Sequence, residues 1–173
     1  MKITYTPDLE NYLQYQLYKY SLSRQYKIQR GSLYLFLIFF FLFGVALVWP
    51  HDYGWPVYLI LAVVCLILCP IYHRWNIKRQ YRKYIKKALL AKTKETIVLE
   101  IIKDSLAVKI ENVENSVPIS NIRQITEITG CYFIEQDAFS SFILPKNLET
   151  KQFVQVLTEK YGVKLVQNLR WKW

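Results

Sequence analysis

The chain has 173 residues and a net charge of +10, room for a pair of membrane-length segments and one small domain. The charge is concentrated: residues 74–94 hold nine basic side chains and no acid, while residues 95–173 hold nine basic and ten acidic ones. A nucleic-acid-binding domain carries its positive footprint on the fold itself, so this distribution argues against that class. Three cysteines, two of them inside an apolar run, argue against a disulfide framework and fit a reducing compartment.

Residues 1–6, MKITYT, alternate polar and apolar and predict a short strand. Its pattern suits pairing with the sheet expected near the carboxy terminus. Thr6 as N-cap, Pro7 at the first position and two acids in the first turn then predict a helix running to about Arg24. Leu9, Leu13, Leu17 and Tyr20 form its apolar stripe, with Tyr12, Tyr15 and Tyr18 beside it. Such a stripe serves either an interfacial or partner-binding helix, or a helix packed on its own domain or the lipid surface. The second is the plainer expectation.

Residues 32–49 (SLYLFLIFFFLFGVALVW) and 55–72 (WPVYLILAVVCLILCPIY) contain no charged side chain. Each reaches the ~17–25 residues needed to cross ~30 Å of hydrocarbon. The segment Pro50-His51-Asp52-Tyr53-Gly54 between them suits a tight turn, flanked by Trp49 and Trp55, while Tyr72 and Trp75 mark the opposite end. Pro56 suits the first turn of the second helix, and Pro70 falls near its inner end. A transmembrane helical hairpin is expected. The turn has no Lys or Arg; Arg24, Lys27 and Arg30 precede the first run, and Arg74 and six further basic residues follow the second. Both termini are therefore expected on the cytoplasmic side of the membrane. A signal peptide fits poorly, because the first run starts late and a second follows at once.

Residues 76–94 predict a basic amphipathic helix just inside the membrane. Ile77, Tyr81, Tyr84, Ile85, Ala88 and Leu89 share one face, and Lys78, Arg79, Arg82, Lys83, Lys86 and Lys87 fill the opposite arc. Such an arc suits anionic lipid at ~1 kcal/mol per charge near the surface. From residue 95 the period falls to two. Strands are predicted at 96–103, 106–111, 117–119, 122–129, 131–135 and 138–144, with turns at 103–105, 111–115, Gly130 and 136–137. A helix over 148–161, ended by Gly162, and a last strand at 163–166 complete the chain. The organisation expected is 1–30 (strand and amphipathic helix), 31–75 (hairpin), 76–94 (basic helix) and 95–173 (sheet domain). Its fold class is α+β: a small antiparallel sheet or half-barrel with a helix over its open side.

In this order, Tyr5-Thr6-Pro7-Asp8-Leu9-Glu10-Asn11-Tyr12, the two apolar runs, Val117-Pro118-Ile119-Ser120-Asn121-Ile122, Tyr132-Phe133 and Phe142-Ile143-Leu144-Pro145-Lys146 resemble the YcxB-like family of small bacterial membrane proteins. The resemblance covers nearly the whole chain. It implies two spans and a cytoplasmic domain of sheet plus helix, similar to bacterial pleckstrin-homology-like domains. It carries over no catalytic residue.

Candidate chemistry is sparse. Cys65, Cys69 and His73 lie at i, i+4 and i+8 on one helix face, but the outer pair stand about 12 Å apart along the axis at ~1.5 Å per residue, too far to close on one ion. Cys131 has no base placed near it, and a buried strand cysteine is expected. Glu135 and Asp137 flank a turn, where acids are usually solvated. Lys103 and Lys109 offer only two cations to a phosphate-reading hairpin, offset by Asp104. The ending Leu169-Arg170-Trp171-Lys172-Trp173 suits either a membrane interface or a frayed tail. The sequence thus points to a membrane-anchored, non-catalytic interaction or scaffold protein without cofactor or metal. Its partners are anionic inner-leaflet lipid and a protein partner or second copy, with no nucleic acid. A small regulatory or immunity protein that binds a toxin or membrane partner fits the same features. A metal-handling or enzymatic protein would use Cys65, Cys69 and His73.

Overall fold

The computed structural model describes residues 1–48, 55–91, 96–110, 113–136 and 141–173. The expected turn at 50–54, residues 111–112 of that expected at 111–115, residue 137 of that at 136–137, residues 138–140 of the strand expected at 138–144, and Trp49 lie outside the described residues. The chain is α+β: helices α1 (Leu9–Leu22), α2 (Arg24–Val48), α3 (Trp55–Ala91) and α4 (Leu148–Glu159) accompany strands β1 (Lys2–Tyr5), β2 (Ile97–Ile102), β3 (Ser105–Ile110), β4 (Val113–Pro118), β5 (Gln124–Glu127), β6 (Cys131–Glu135), β7 (Ser141–Pro145) and β8 (Leu165–Gln167). They form two compact units, residues 1–16 with 82–173, and residues 17–81.

The pattern predicts a small antiparallel sheet or half-barrel; the first unit has two sheets. One is antiparallel in the order β1-β2-β3-β4; the other runs β7-β6-β5-β8, with β8 parallel to β5. The difference starts at β4, where VENSVP was expected to begin as a turn. It is an almost fully exposed edge strand, so no alternation marks it; period two appears only where one face is buried. The amino-terminal strand does pair: Ile3 sits opposite Leu99 and Tyr5 opposite Ile97. Two residues, Lys103 and Asp104, connect β2 to β3, and Lys103 takes a left-handed φ of 51°.

The inward faces of both sheets meet in one core. Leu99, Leu106, Ile125, Ile134 and Leu144 are fully buried there, with Phe153, Val154 and Leu157 of α4. A capping box starts α4: the Asn147 side chain accepts from the Thr150 amide at 2.8 Å, and the Thr150 hydroxyl accepts from the Asn147 amide at 3.1 Å. Gly162, at φ 68°, lets the chain turn back after the helix, and the Val163 amide reaches the Leu157 carbonyl at 3.2 Å.

All five residues of β6 are buried. Tyr132 and Ile134 face the core, while Cys131 and Phe133 lie under the first half of α1. Tyr15 packs edge-on against Phe133 at 5.0 Å and donates to Ser141 Oγ at 2.9 Å. The helix therefore packs on its own domain, and Leu13 is fully buried. It starts at Leu9 rather than Pro7 and ends at Leu22.

In the second unit, Ser23 separates α1 from α2. Its hydroxyl accepts from the Tyr26 amide at 3.2 Å and so caps α2. The residues expected to precede the first apolar run, Arg24, Lys27 and Arg30, lie within α2 itself. The basic amphipathic segment expected over 76–94 is helical as far as Ala91, where it forms the last part of α3, one helix of 37 residues with Pro70 inside; residues 92–94 lie outside the described residues. Leu37 and Phe41 of α2 pack on Ala62 of α3, flanked by Leu33, Cys65, Leu66 and Cys69. Most other apolar side chains on these helices face outward; Phe36, Phe39, Phe40, Phe43 and Ile60 are each more than 60% exposed. Both helices are long and apolar enough to cross a membrane.

Phe153→Ala removes the largest buried α4 side chain from the core that both sheets share, at a cost of ~3–5 kcal/mol. Limited proteolysis of the variant in detergent should open residues 96–173 at a lower temperature than in the wild type, while a fragment spanning α2 and α3 survives.

Candidate functional site

The cationic arc of α3 follows from helical geometry. At about 100° per residue, Lys78, Arg79, Arg82, Lys83, Lys86 and Lys87 spread over about half the circumference. Ile77 and Ile85 lie opposite and are buried, with Tyr81 half-buried between them. Tyr84, expected on the apolar face, is 70% exposed because it sits at the edge of that stripe. The side chains of Ala88 and Leu89 lie outside the described residues. The six cations are not equivalent. Lys83, Lys86 and Lys87 are exposed, and Lys78 is half-buried. The Arg79 guanidinium lies 5.2 Å from the centre of the Trp75 ring. Arg82 is paired with Glu10 of α1 at 3.0 Å, both side chains about half exposed. A surface pair of this kind contributes ~0–1 kcal/mol, yet it draws Arg82 away from other anions.

The residues weighed for metal or thiol chemistry are dispersed. Cys65 and Cys69 are half-buried against α2, and among the described residues no three His, Cys, Asp or Glu side chains converge on a metal-holding point. Cys131 is fully buried and donates to Gln14 Oε1 at 3.8 Å. Burial pushes its thiol up to about 12, only partly offset by the charge of Lys146, so the thiol stays neutral near pH 7. Glu135 is buried rather than solvated and accepts from Gln124 Nε2 at 3.1 Å; Asp137 lies outside the described residues. The C-terminal segment is tied down: Thr129 donates to the Leu169 carbonyl at 2.9 Å, and Trp171 and Trp173 are half-buried.

Two polar sites had no clear signal in the sequence. The first joins the strands of the second sheet. Glu127 of β5 meets Lys146 Nζ at 2.6 Å and accepts from Gln167 Nε2 of β8 at 3.0 Å. Lys146 also lies 5.5 Å from the centre of the Tyr132 ring. Burial alone would raise the Glu127 carboxyl. Hydrogen bonds from Lys146 and Gln167, the Lys146 charge and the Tyr132 hydroxyl together hold it below the ordinary carboxylate range. Every member has partners, so the cluster reads as a structural clamp.

The second site is a pocket of about 220 Å³ between α2 and α3, lined by Tyr26, Arg30, Leu33, Tyr34, Pro70, Ile71, His73 and Arg74. Arg30 lies 5.9 Å from the centre of the Tyr34 ring. His73 Nε2 is buried and has no hydrogen-bond partner among the described residues. The available signal was positional: Arg30 and Arg74 each stand two residues outside an uncharged run.

No protein-family model, curated protein or solved structure matches the chain.

Because the folded-state pKa of Glu127 is depressed, its stabilisation is present above the unfolded value of ~4.3 and is lost as pH falls through the lower folded value. Glu127→Gln should cost about 1–3 kcal/mol at pH 7, since it leaves Lys146 without its anion. It should also flatten the acid limb below about pH 4. Thermal melts of both proteins between pH 3 and 7 measure the difference.

Proposed function

We propose that the protein is a membrane-anchored, non-catalytic interaction protein in which α2 and α3 cross the bilayer as a hairpin. The observation that carries this reading is the outward apolar surface of the two helices: in their most apolar stretches, 11% of α2 and none of α3 is buried. Patches of that extent in water mark interfaces or aggregation sites, and α-helices satisfy their backbone polar groups in hydrocarbon. The basic residues at one end of the pair support an orientation with residues 1–23 and 82–173 on the cytoplasmic side. A 37-residue helix extends about 55 Å at ~1.5 Å per residue, longer than a ~30 Å hydrocarbon core. In this reading the excess carries the cationic arc out of the membrane, with exposed Lys83, Lys86 and Lys87 available to anionic headgroups.

The first unit is then the interacting part. Its two packed sheets with a helix after the seventh strand are the arrangement that a pleckstrin-homology-like domain would have, and the YcxB-like resemblance points the same way. The exposed β4 edge offers unpaired backbone groups to a protein partner or a second copy.

Fractionation and topology test this reading. After expression, the chain should remain in the carbonate-washed membrane pellet, and protease added outside sealed cells should leave residues 82–173 intact. Recovery in the soluble fraction without detergent would refute the anchoring. Digestion of residues 82–173 from outside would reverse the orientation.

A further inference from the structure

The pocket between α2 and α3 has no role in anchoring as such, and its lining is graded. Arg30, His73 and Arg74 bring donors, and Tyr26 and Tyr34 bring hydroxyls, while Leu33, Pro70 and Ile71 form an apolar side. Among the described residues, no acidic side chain lines it. A buried imidazole nitrogen is normally hydrogen-bonded, yet Nε2 of the half-buried His73 has no partner among the described residues. Arg30 precedes the uncharged run of α2, and Arg74 follows that of α3, so both lie where acyl chains give way to headgroups.

We propose that this pocket binds the phosphate of an anionic glycerophospholipid, with Arg30, His73 and Arg74 around the phosphate oxygens and Leu33 and Ile71 against the first methylenes of an acyl chain. The assignment rests on the membrane reading above and goes beyond it, since a bilayer-crossing hairpin needs no particular lipid. Guanidinium forks match phosphate oxygens in a way that the exposed lysines of α3 do not. The volume of about 220 Å³ is below the ~300–1,000 Å³ usual for drug-sized ligands, so it suits a headgroup phosphate and its glycerol rather than a larger metabolite. Inorganic phosphate shares the oxyanion chemistry but leaves the apolar side of the pocket unused. Cationic pockets between helices at the cytoplasmic membrane face are a recurrent headgroup site.

The test uses the full chain purified in a neutral detergent and native mass spectrometry with phosphatidylglycerol and phosphatidylcholine at equal concentration. A parallel arm adds inorganic phosphate as competitor. The wild type should retain phosphatidylglycerol roughly tenfold or more in preference to phosphatidylcholine, and inorganic phosphate should not displace it. Arg30→Ala with Arg74→Ala should abolish the preference. Lys151→Ala with Lys164→Ala removes the same charge from exposed positions of the first unit, outside the pocket and the cationic arc, and should leave it unchanged. Ile71→Trp fills the pocket from an exposed position, keeps every charge and should also abolish the preference, which gives a readout if the double arginine variant fails to fold. An unchanged preference in Ile71→Trp overturns the proposal, and so does equal loss in the lysine pair. Displacement by inorganic phosphate makes the pocket a free-anion site and overturns the lipid assignment. A wild type that is soluble without detergent defeats the anchoring itself, whereas one that inserts but shows no pocket-dependent preference defeats this proposal alone.

Discussion

Apolar side chains that point away from the protein set the terms for the rest of the chain. Among the described residues, the apolar seam between α2 and α3 includes the buried Leu37, Phe41 and Ala62. Far more apolar surface faces outward, including four phenylalanines of α2. Burying a large apolar side chain is worth roughly 1.5–3 kcal/mol, so the helix pair depends more on what surrounds it than on its own contact. Charges are arranged accordingly: none lies in either uncharged run, and arginines begin just beyond both at the same end.

The first unit answers a different demand. Its strands are short, and a sheet of this size needs both faces covered or solvated by design. β6 shows the solution: one face joins the shared core and the other lies under α1. Burial on both sides forces the polar groups of the second sheet into partnerships, and the contacts of Glu127 with Lys146, Gln167 and Tyr132 meet that need.

The helices and the strands with one wet face were legible in the sequence, because alternation and apolar length report burial directly. That residues 2–5 pair with the carboxy-terminal domain's sheet was legible for the same reason, though not that β2 is the partner. β4 was not: an edge strand exposed on both faces carries no alternation, and without it the division into two sheets cannot be read. The parallel partnership of β8 depends on tertiary placement that three residues cannot encode. The cationic arc was visible as spacing, but the partner of Arg82 was not, since Glu10 lies 72 positions away. The pocket was hidden because Arg30 and Arg74 mark orientation in the sequence and become neighbours only when the hairpin closes.

The edge position of β1 dictates an order of events during synthesis. Ile3 lies opposite Leu99, so the first strand made cannot pair until 96 more residues have been added. At ~5–20 residues per second that delay is roughly 5–20 s. Throughout it, the amino-terminal segment stays on the ribosome's nascent chain as an unpaired extension, while both apolar helices emerge before its partner exists. Completion of the first unit is thus a late, long-range closure, and translation reaches it only after the helical hairpin has been made.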